Sequence, residues 1–345
     1  MTEPEAHGPG RDAGAVLRRI AYLLERQQAD TYRVRAFRRA ADAVAEQEPV
    51  RLRALHQAGR LQDLGGVGDR TAAIIAEVLD GHRPAYLAEL EEAPVPAASQ
   101  AAKRYLEVLV GDCHSHSDWS DGGSDIRTMA EAARALGHRY LVLTDHSPRL
   151  TVAHGLDAGR LAAQLAVVAR LNEDLAPFRL LTGIEVDILE DGQLDQDLDL
   201  LAELDVVVAS VHSKLSMDRA QMTARMLAAV ESRHTDILGH CTGRKIVGRG
   251  RKPSAFDAER VFEACARTGT AVEINSRPER RDPPAALLGQ AVAAGCLFSI
   301  DTDAHAPGQL EWLWMGCEQA AEASVPLDRI VNTWEAERLL AWTGR

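Results

Sequence analysis

Gly111-Asp-Cys-His-Ser-His-Ser-Asp-Trp-Ser-Asp-Gly-Gly123 is the stretch on which the reading of this chain turns. It places Asp112, His114, His116, Asp118 and Asp121 within ten residues, directly after Glu107-Val-Leu-Val110, an apolar run that reads as a buried strand over Glu107–Gly111. Alternate side chains of an extended chain face the same way, so His114 and His116 leave that strand on one side and can share a cation. Asp121 lies in a Ser-Asp-Gly turn, where Gly122 and Gly123 let the backbone reverse and bring the carboxylate back toward the histidines. An isolated H-x-H is more often a polar loop, so the weight falls on what the rest of the chain carries.

Downstream, apolar runs alternate with amphipathic helical segments. Strands are expected over Glu107–Gly111, Arg139–Leu143, Arg179–Val186, Asp205–Ser210, Thr235–Leu238, Thr270–Ile274 and Leu297–Ile300. Helices are expected between them, over Ile126–Leu136, Ala158–Leu175, Arg219–Glu231, Ser254–Thr268 and Ala285–Ala294. Strands each followed by a helix imply parallel pairing and an α/β fold, a closed or nearly closed barrel. The residues after each expected strand then form a series: His114, His116 and Asp121; Asp145-His146; Glu185; His212; His240-Cys241; Glu273 and Asn275; Asp303 and His305. In such a barrel the carboxyl ends of all strands open on one mouth, so six of the twelve histidines meet there. Core histidines have no reason to respect strand order, and a polar set so placed is costly to bury without metal or partners.

The first hundred residues differ in kind. After a tail over 1–12, helical periodicity runs through Ala15–Arg26, Tyr32–Glu46 and Leu52–Ala58, then from Leu61 to Asp80 through Gly66-Val67-Gly68. A Gly-x-Gly turn opening a helix points backbone N–H groups outward at the positive end of the helix dipole, where a phosphate can sit. The expected organisation is a helical domain over 13–84, a Pro/Ala/Glu-rich linker over 85–105 and the barrel domain over 106–345.

Composition sets outer limits. The chain has 345 residues, 46% hydrophobic and 26% charged, and a formal charge of −12, which argues against a protein held on nucleic acid by bulk electrostatics. Its five cysteines show no C-x-x-C spacing, so free thiols in a reducing compartment are expected. No run of about 18 apolar residues and no apolar leader occurs, so the expected location is cytoplasmic, with no membrane partner.

The motifs D-C-H-S-H, S-D-G, T-D-H-S, G-I-E-V-D-I, S-V-H-S, L-G-H-C-T-G-R, A-V-E-I-N and T-D-A-H resemble those of the PHP (polymerase and histidinol phosphatase) family, over about Gly111 to Arg345. The resemblance is closest to the C-terminal PHP domain of bacterial family X DNA polymerases. It implies a distorted seven-stranded (β/α)7 barrel with three divalent metal ions. By position, His114, His116, Glu185 and Asp303 would hold the first, with Glu185 bridging to a second on His212 and His240. Asp121, His146 and His305 would hold the third. Imidazole with carboxylate suits zinc, manganese or iron. Water activated by these ions would be the nucleophile, which makes His114, Glu185, Asp303 and His305 the expected catalytic set. His154 is a candidate proton donor to the leaving oxygen. Cys241 stands where the family usually has Pro, and a neighbour of a strand-end ligand normally points away. Asp301 adds a carboxylate near Asp303, and Arg280-Arg-Asp-Pro-Pro284 replaces a segment more apolar in relatives.

In the helical domain, V-R-A-F-R-R-A-A (Val34–Ala41) and L-G-G-V-G (Leu64–Gly68) resemble the N-terminal domain of family X polymerases, which implies a helix-hairpin-helix that grips the DNA backbone through Gly66, Gly68 and Arg70. The Schiff-base lysine of the lyase members would fall at Ile74, and no lysine precedes Lys103, so no lyase activity is expected. Too few residues separate Gly81 from Val110 to hold a polymerase palm, so no DNA synthesis is expected.

The leading expectation is a metal-dependent phosphoesterase acting on DNA, a 3'-5' exonuclease or 3'-end-processing enzyme with DNA-repair proteins as partners. Alternatives are a small-molecule phosphatase resembling histidinol-phosphate phosphatase and a non-catalytic DNA-repair adaptor. Lys214, Arg244 and Arg277 are the candidate phosphate contacts, and Arg244–Lys252, with five basic residues in nine, suggests a polyanion groove.

Overall fold

The computed structural model describes residues 9–94 and 97–344, so the tail expected over 1–12 lies outside the described residues up to residue 8. The chain divides into two compact units, one ending at Ala97 and the other beginning at Ala98.

The first unit is all helical: α1 (Pro9–Arg26), α2 (Thr31–Ala45), α3 (Pro49–Gln57), α4 (Asp69–Leu79) and α5 (Ala85–Glu92). Leu17, Ile20 and Leu24 of α1 recur at helical spacing and pack with Val34, Phe37 and Ala41 of α2 and with Ile74 and Ile75 of α4. Asp30 caps α2 by accepting from the Tyr32 N–H at 2.8 Å. The turn into α4 needs glycine at position 66: its φ is +92°, and a Cβ there would meet Arg39 at 3.3 Å. Helix α5 and most of a further helix, α6 (Gln100–Leu106), fall within the segment expected as a linker, whose positions 95 and 96 lie outside the described residues.

The second unit holds seven parallel strands in sequence order: β1 (Gly111–Ser115), β2 (Tyr140–Leu143), β3 (Arg179–Asp187), β4 (Val206–Ser210), β5 (Ile237–Leu238), β6 (Ala271–Asn275) and β7 (Leu297–Asp301). Between them lie α7 (Ile126–Ala135), α8 (Ala158–Leu175), α9 (Leu198–Ala202), α10 (Arg219–Val230), α11 (Ala258–Thr268) and α12 (Ala285–Ala294), with α13 (Leu313–Glu322) and α14 (Ala336–Thr343) after the last strand.

Alternate positions on each strand sort into two layers. Ile184, Val186, Val207, Ala209, Val272 and Ile274 pack on helix residues such as Met222, Met226, Val261, Phe262 and Leu288. The opposite parity, with Val142, Leu181, Val206, Val208 and Ala271, forms a second cluster closed by Trp334 and Leu339. Along β3 this second parity runs Leu181, Gly183, Glu185, Asp187, and along β6 it runs Ala271, Glu273, Asn275. It is apolar at the start of the strands and polar at their carboxyl ends. Between β1 and β7 the barrel is nearly closed, by side chains and by a backbone bridge of Ser115 with Ala304, just past β7. Asp301 Oδ1 accepts from Cys113 N–H at 2.8 Å, Thr302 donates to Asp112, and Asn332 Nδ2 donates to Gly111 O at 3.2 Å and Ile300 O.

The first strand corrects the sequence reading. It is Gly111–Ser115 itself, whereas Glu107–Val110 forms the turn and connection that follow α6, with Val108 exposed. A strand carrying Asp and His on a closed barrel edge has no apolar signature, and the neighbouring apolar run drew the assignment four residues too early.

Candidate metal centre

Every strand delivers its polar side chains at its carboxyl end, and they converge. Glu185, fully buried at the end of β3, is the hub: His240 Nε2 and His146 Nδ1 each stand 2.8 Å from its carboxylate, His212 Nε2 3.2 Å, His114 Nε2 3.4 Å and His116 Nε2 3.7 Å. Asp303 Oδ1 lies 3.3 Å from His116 Nε2 and 3.9 Å from His114 Nε2. Asp121, on the loop after β1, reaches His146 Nε2 at 3.4 Å and His305 Nε2 at 3.3 Å. All nine side chains singled out as candidate ligands therefore meet at one mouth, and Asp118 is not among them.

Among the described residues three sets have donor atoms mutually within 4.8 Å: His114, His116 and Glu185; His146, Glu185 and His212; and His116, Asp121, His146 and His305. The grouping differs from that expected by position: His146 also joins Glu185 and His212, His116 also joins the Asp121 set, and Asp303 and His240 stand outside all three, Asp303 beside His116 at 3.3 Å and His240 beside Glu185 at 2.8 Å. Asp303 occupies left-handed backbone at φ +52°, a strained conformation for a non-glycine residue, which aims its carboxylate at the histidine pair.

The electrostatics are those of a site built for cations. Burial pushes the Glu185 carboxyl up, but His212, His114 and His146 hold it well below the usual range. Burial likewise opposes ionisation of Asp303, and Arg277 and His114 hold it low. Burial works against charge on His146, yet Glu185 and Asp121 carry it up to about 10. His116 goes the other way, well below its usual value, because burial is reinforced by His305 and His146. The ring nitrogens His114 Nε2, His116 Nδ1 and Nε2, His212 Nδ1 and Nε2, and His240 Nδ1, with Glu185 Oε2, are buried without a hydrogen-bond partner. Each such orphan costs about 1–3 kcal/mol, a penalty that divalent cations among them remove. The donor set fits metal.

Residues 112–277 match the family model described as PHP domain, and residues 11–84 match that described as helix-hairpin-helix domain. The chain joins a helix-hairpin-helix domain to a PHP domain. The DNA polymerase/3'-5' exonuclease PolX of Bacillus subtilis is 40% identical over 240 residues, 70% of this chain and 42% of that relative, so the chain matches less than half of its length. A "probable phosphatase" of Thermoanaerobacter sp. (strain X514) is 28% identical over 65% of this chain and 91% of its own length. Among solved structures, histidinol phosphate phosphatase from Lactococcus lactis, complexed with zinc, L-histidinol and phosphate, aligns at a TM-score of 0.46 and 19% identity over 63% of this chain and 94% of that one.

Around the mouth of the PHP domain the candidate phosphate contacts are unequally placed. Arg277 lies at the rim, with Nη1 3.0 Å from Asp303 O and 2.7 Å from His305 Nδ1 and its guanidinium paired to Glu279 at 2.8 Å. Lys214 is exposed, 3.9 Å from Glu190. Arg244 directs its guanidinium to the carbonyl oxygens of Arg280 and Arg281, so it ties one loop to another. His154 is exposed on a left-handed turn. Cys241 lies buried with Sγ 3.8 Å from Asp282, its thiol pushed well up by burial. Asp301 takes part in the β1–β7 seam rather than in the cluster.

Several contributors escaped the sequence-derived set. Glu273 accepts from His114 Nδ1 at 2.6 Å and from the His240 backbone N–H. Asp187 accepts from the His212 N–H at 3.0 Å. Asp145 takes bonds from Ser117, Ser120 and Gln164, which pins the loop carrying Asp121. Arg280 Nε sits 3.3 Å from Asp303 Oδ2. Asp145 adjoins His146 and Asp187 lies two positions from Glu185, and that adjacency is the signal that could have found them; Glu273 stood in the strand-end series without its partner, and Arg280 in a basic segment far from any ligand in sequence. In the helical unit, Arg70 rests over the Tyr86 ring at 4.1 Å, Gly68 caps α4 with its N–H bonded to Thr71 Oγ1 at 2.9 Å, and Ile74 is in the core. Among the described residues no helix is long and apolar enough to cross a membrane.

Proposed function

We propose that this chain hydrolyses DNA phosphodiesters at or near 3' ends, using divalent cations held at the PHP mouth. The observation that carries the reading is the buried set of unpartnered imidazole nitrogens around Glu185. His114, His116, Glu185 and Asp303 would hold one ion, Glu185, His212 and His240 a second, and Asp121, His146 and His305 a third, each being zinc, manganese or iron. Such ions supply Lewis acidity and lower the pKa of water to about 7. The protein's own part is positional. Glu273 fixes the tautomer of His114 so that Nε2 faces Glu185, and Asp187 fixes the backbone of the His212 segment. Arg277 offsets charge on the substrate's non-bridging oxygens. No serine or cysteine nucleophile is required.

DNA is favoured as substrate by the helix-hairpin-helix domain and by the likeness to a relative whose name includes 3'-5' exonuclease. The Gly66–Gly68 turn at the start of α4 would hold a backbone phosphate, with Arg70 beside it. Hydrolysis of a small phosphomonoester is the second reading, favoured by the match over nearly the full length of the Thermoanaerobacter relative. The test is digestion of 5'-labelled and 3'-labelled oligonucleotides with Mn2+, Zn2+ or Fe2+, beside a panel of phosphomonoesters. A ladder shortening from the 3' end, abolished by His114→Ala, supports the proposal. Turnover of monoesters alone selects the second reading.

A further inference from the structure

The basic hairpin Arg244–Lys252, which the sequence suggests as a polyanion groove, has no part in the proposed hydrolysis at the metal centre. Its base is a backbone pair: Lys245 N–H donates to Arg251 O at 3.0 Å and Arg251 N–H to Lys245 O at 2.7 Å. Residues directly opposed in such a pair project on the same side, so their two cations stand together. Arg251 Nε is anchored on Gly243 O at 2.6 Å. The hairpin is also joined to the segment after β6, because Ile246 N–H donates to Glu279 O at 2.7 Å and Arg244 Nε to Arg280 O at 2.9 Å. These bonds set Lys245 and Arg251 beside Arg280.

The three cations are crowded. Burial depresses the Lys245 ammonium, and Arg280, Arg251 and Arg277 add to that against the pull of Glu279. Burial and Arg280 depress Arg251 in the same direction, against Asp282. Arg280 spends Nε on Asp303 at 3.3 Å, while its buried Nη1 has no hydrogen-bond partner. Mutually repelling cations with an unsatisfied buried donor form a site whose complement is an anion with several acceptor oxygens. Through Arg280 this site adjoins Asp303 at the rim of the metal centre, in a chain whose net charge of −12 otherwise repels polyanions.

We propose that Lys245, Arg251 and Arg280 form a second phosphate subsite, which holds the phosphate next along the strand from the one at the metal centre. The assignment rests on the phosphodiesterase reading, since a phosphomonoester has no second phosphate to offer. It makes two linked nucleotides the smallest substrate that uses the whole site.

Equilibrium binding of a short fluorescein-labelled DNA single strand to the full chain, followed by anisotropy over a range of salt, tests it. Removing one cation that neutralises a phosphate lowers the slope of log K against log salt by about 0.7 for a single strand. Lys245→Ala is expected to lower the slope by about 0.7 and Lys245→Ala/Arg251→Ala by about 1.4, with Lys245→Arg restoring the wild-type slope. The single variant leaves the hairpin's backbone pairing and the Arg251 anchor in place, so it decides the matter if the double variant misfolds. A slope unchanged in Lys245→Ala overturns the subsite, whatever happens to affinity. Variants with a reduced slope, in a chain that leaves the strand intact with Mn2+, keep the subsite and refute the hydrolysis, and degradation with unchanged slopes does the reverse.

Discussion

His114 Nδ1 and Glu273 Oε1 face each other at 2.6 Å, both residues fully buried, one from β1 and the other from β6. The bond fixes which imidazole nitrogen carries the proton and leaves Nε2 toward Glu185 and Asp303. Glu273→Gln keeps the shape but weakens the acceptor. Metal affinity is expected to fall about 10–100-fold, read by titration against a competing chelator, with the folded far-ultraviolet spectrum retained.

Removing the ions should cost stability as well as activity. A ligand present at 100 times its Kd adds about 2.7 kcal/mol, so exhaustive chelation is expected to lower the melting temperature of the barrel unit by roughly 5–10 °C. Calorimetry before and after dialysis against a chelator, with restoration by each divalent ion in turn, reads the effect and ranks the metals.

The barrel seam makes a separate prediction. Asn332 is fully buried, with Nδ2 donating to Gly111 O and Ile300 O and Oδ1 accepting from Ile300 N–H at 3.1 Å. Asn332→Ala strands three backbone groups between β1 and β7, at about 1–3 kcal/mol for each one that water does not reach. A loss of about 3 kcal/mol or more in urea unfolding of the second unit is expected, against little change in the helical unit.

Histidine outside the metal centre sets one limb of the pH dependence. Burial alone lowers His138 to about 4 from an ordinary 6.5, and its Nδ1 has no hydrogen-bond partner. Between those values the unfolded chain takes up a proton that the folded chain refuses. The stability associated with a neutral His138 is therefore complete above about pH 6.5 and is lost as pH falls toward 4. Urea midpoints between pH 7 and about 4.5 should fall less steeply in His138→Gln than in the wild type.

The sequence carried more of the site than of its support. Six histidines and three carboxylates could be picked out because each follows a strand, and strand order dictates that they meet. The later strands were legible from apolar runs such as Val206–Ala209, within a residue or two of their observed limits. The first strand was not, because its five residues are buried while carrying Asp and His, and hydrophobic pattern has no purchase on a strand whose polar groups are satisfied by the far side of the barrel. The seam pair Asp112 and Asp301 escaped for the same reason. Glu273 was visible as a strand-end carboxylate but not as the partner of His114, since the two lie 159 residues apart and only the closed barrel brings them together.

Metal analysis of the purified full chain beside Glu185→Gln tests the central claim most directly. Glu185 is the carboxylate around which five imidazoles gather, so its loss should empty more of the site than any other single change. The account predicts more than one equivalent of zinc, manganese or iron per wild-type chain and near-complete loss in the variant. A wild-type chain that stays metal-free after reconstitution, or a variant that retains the full complement, would contradict it.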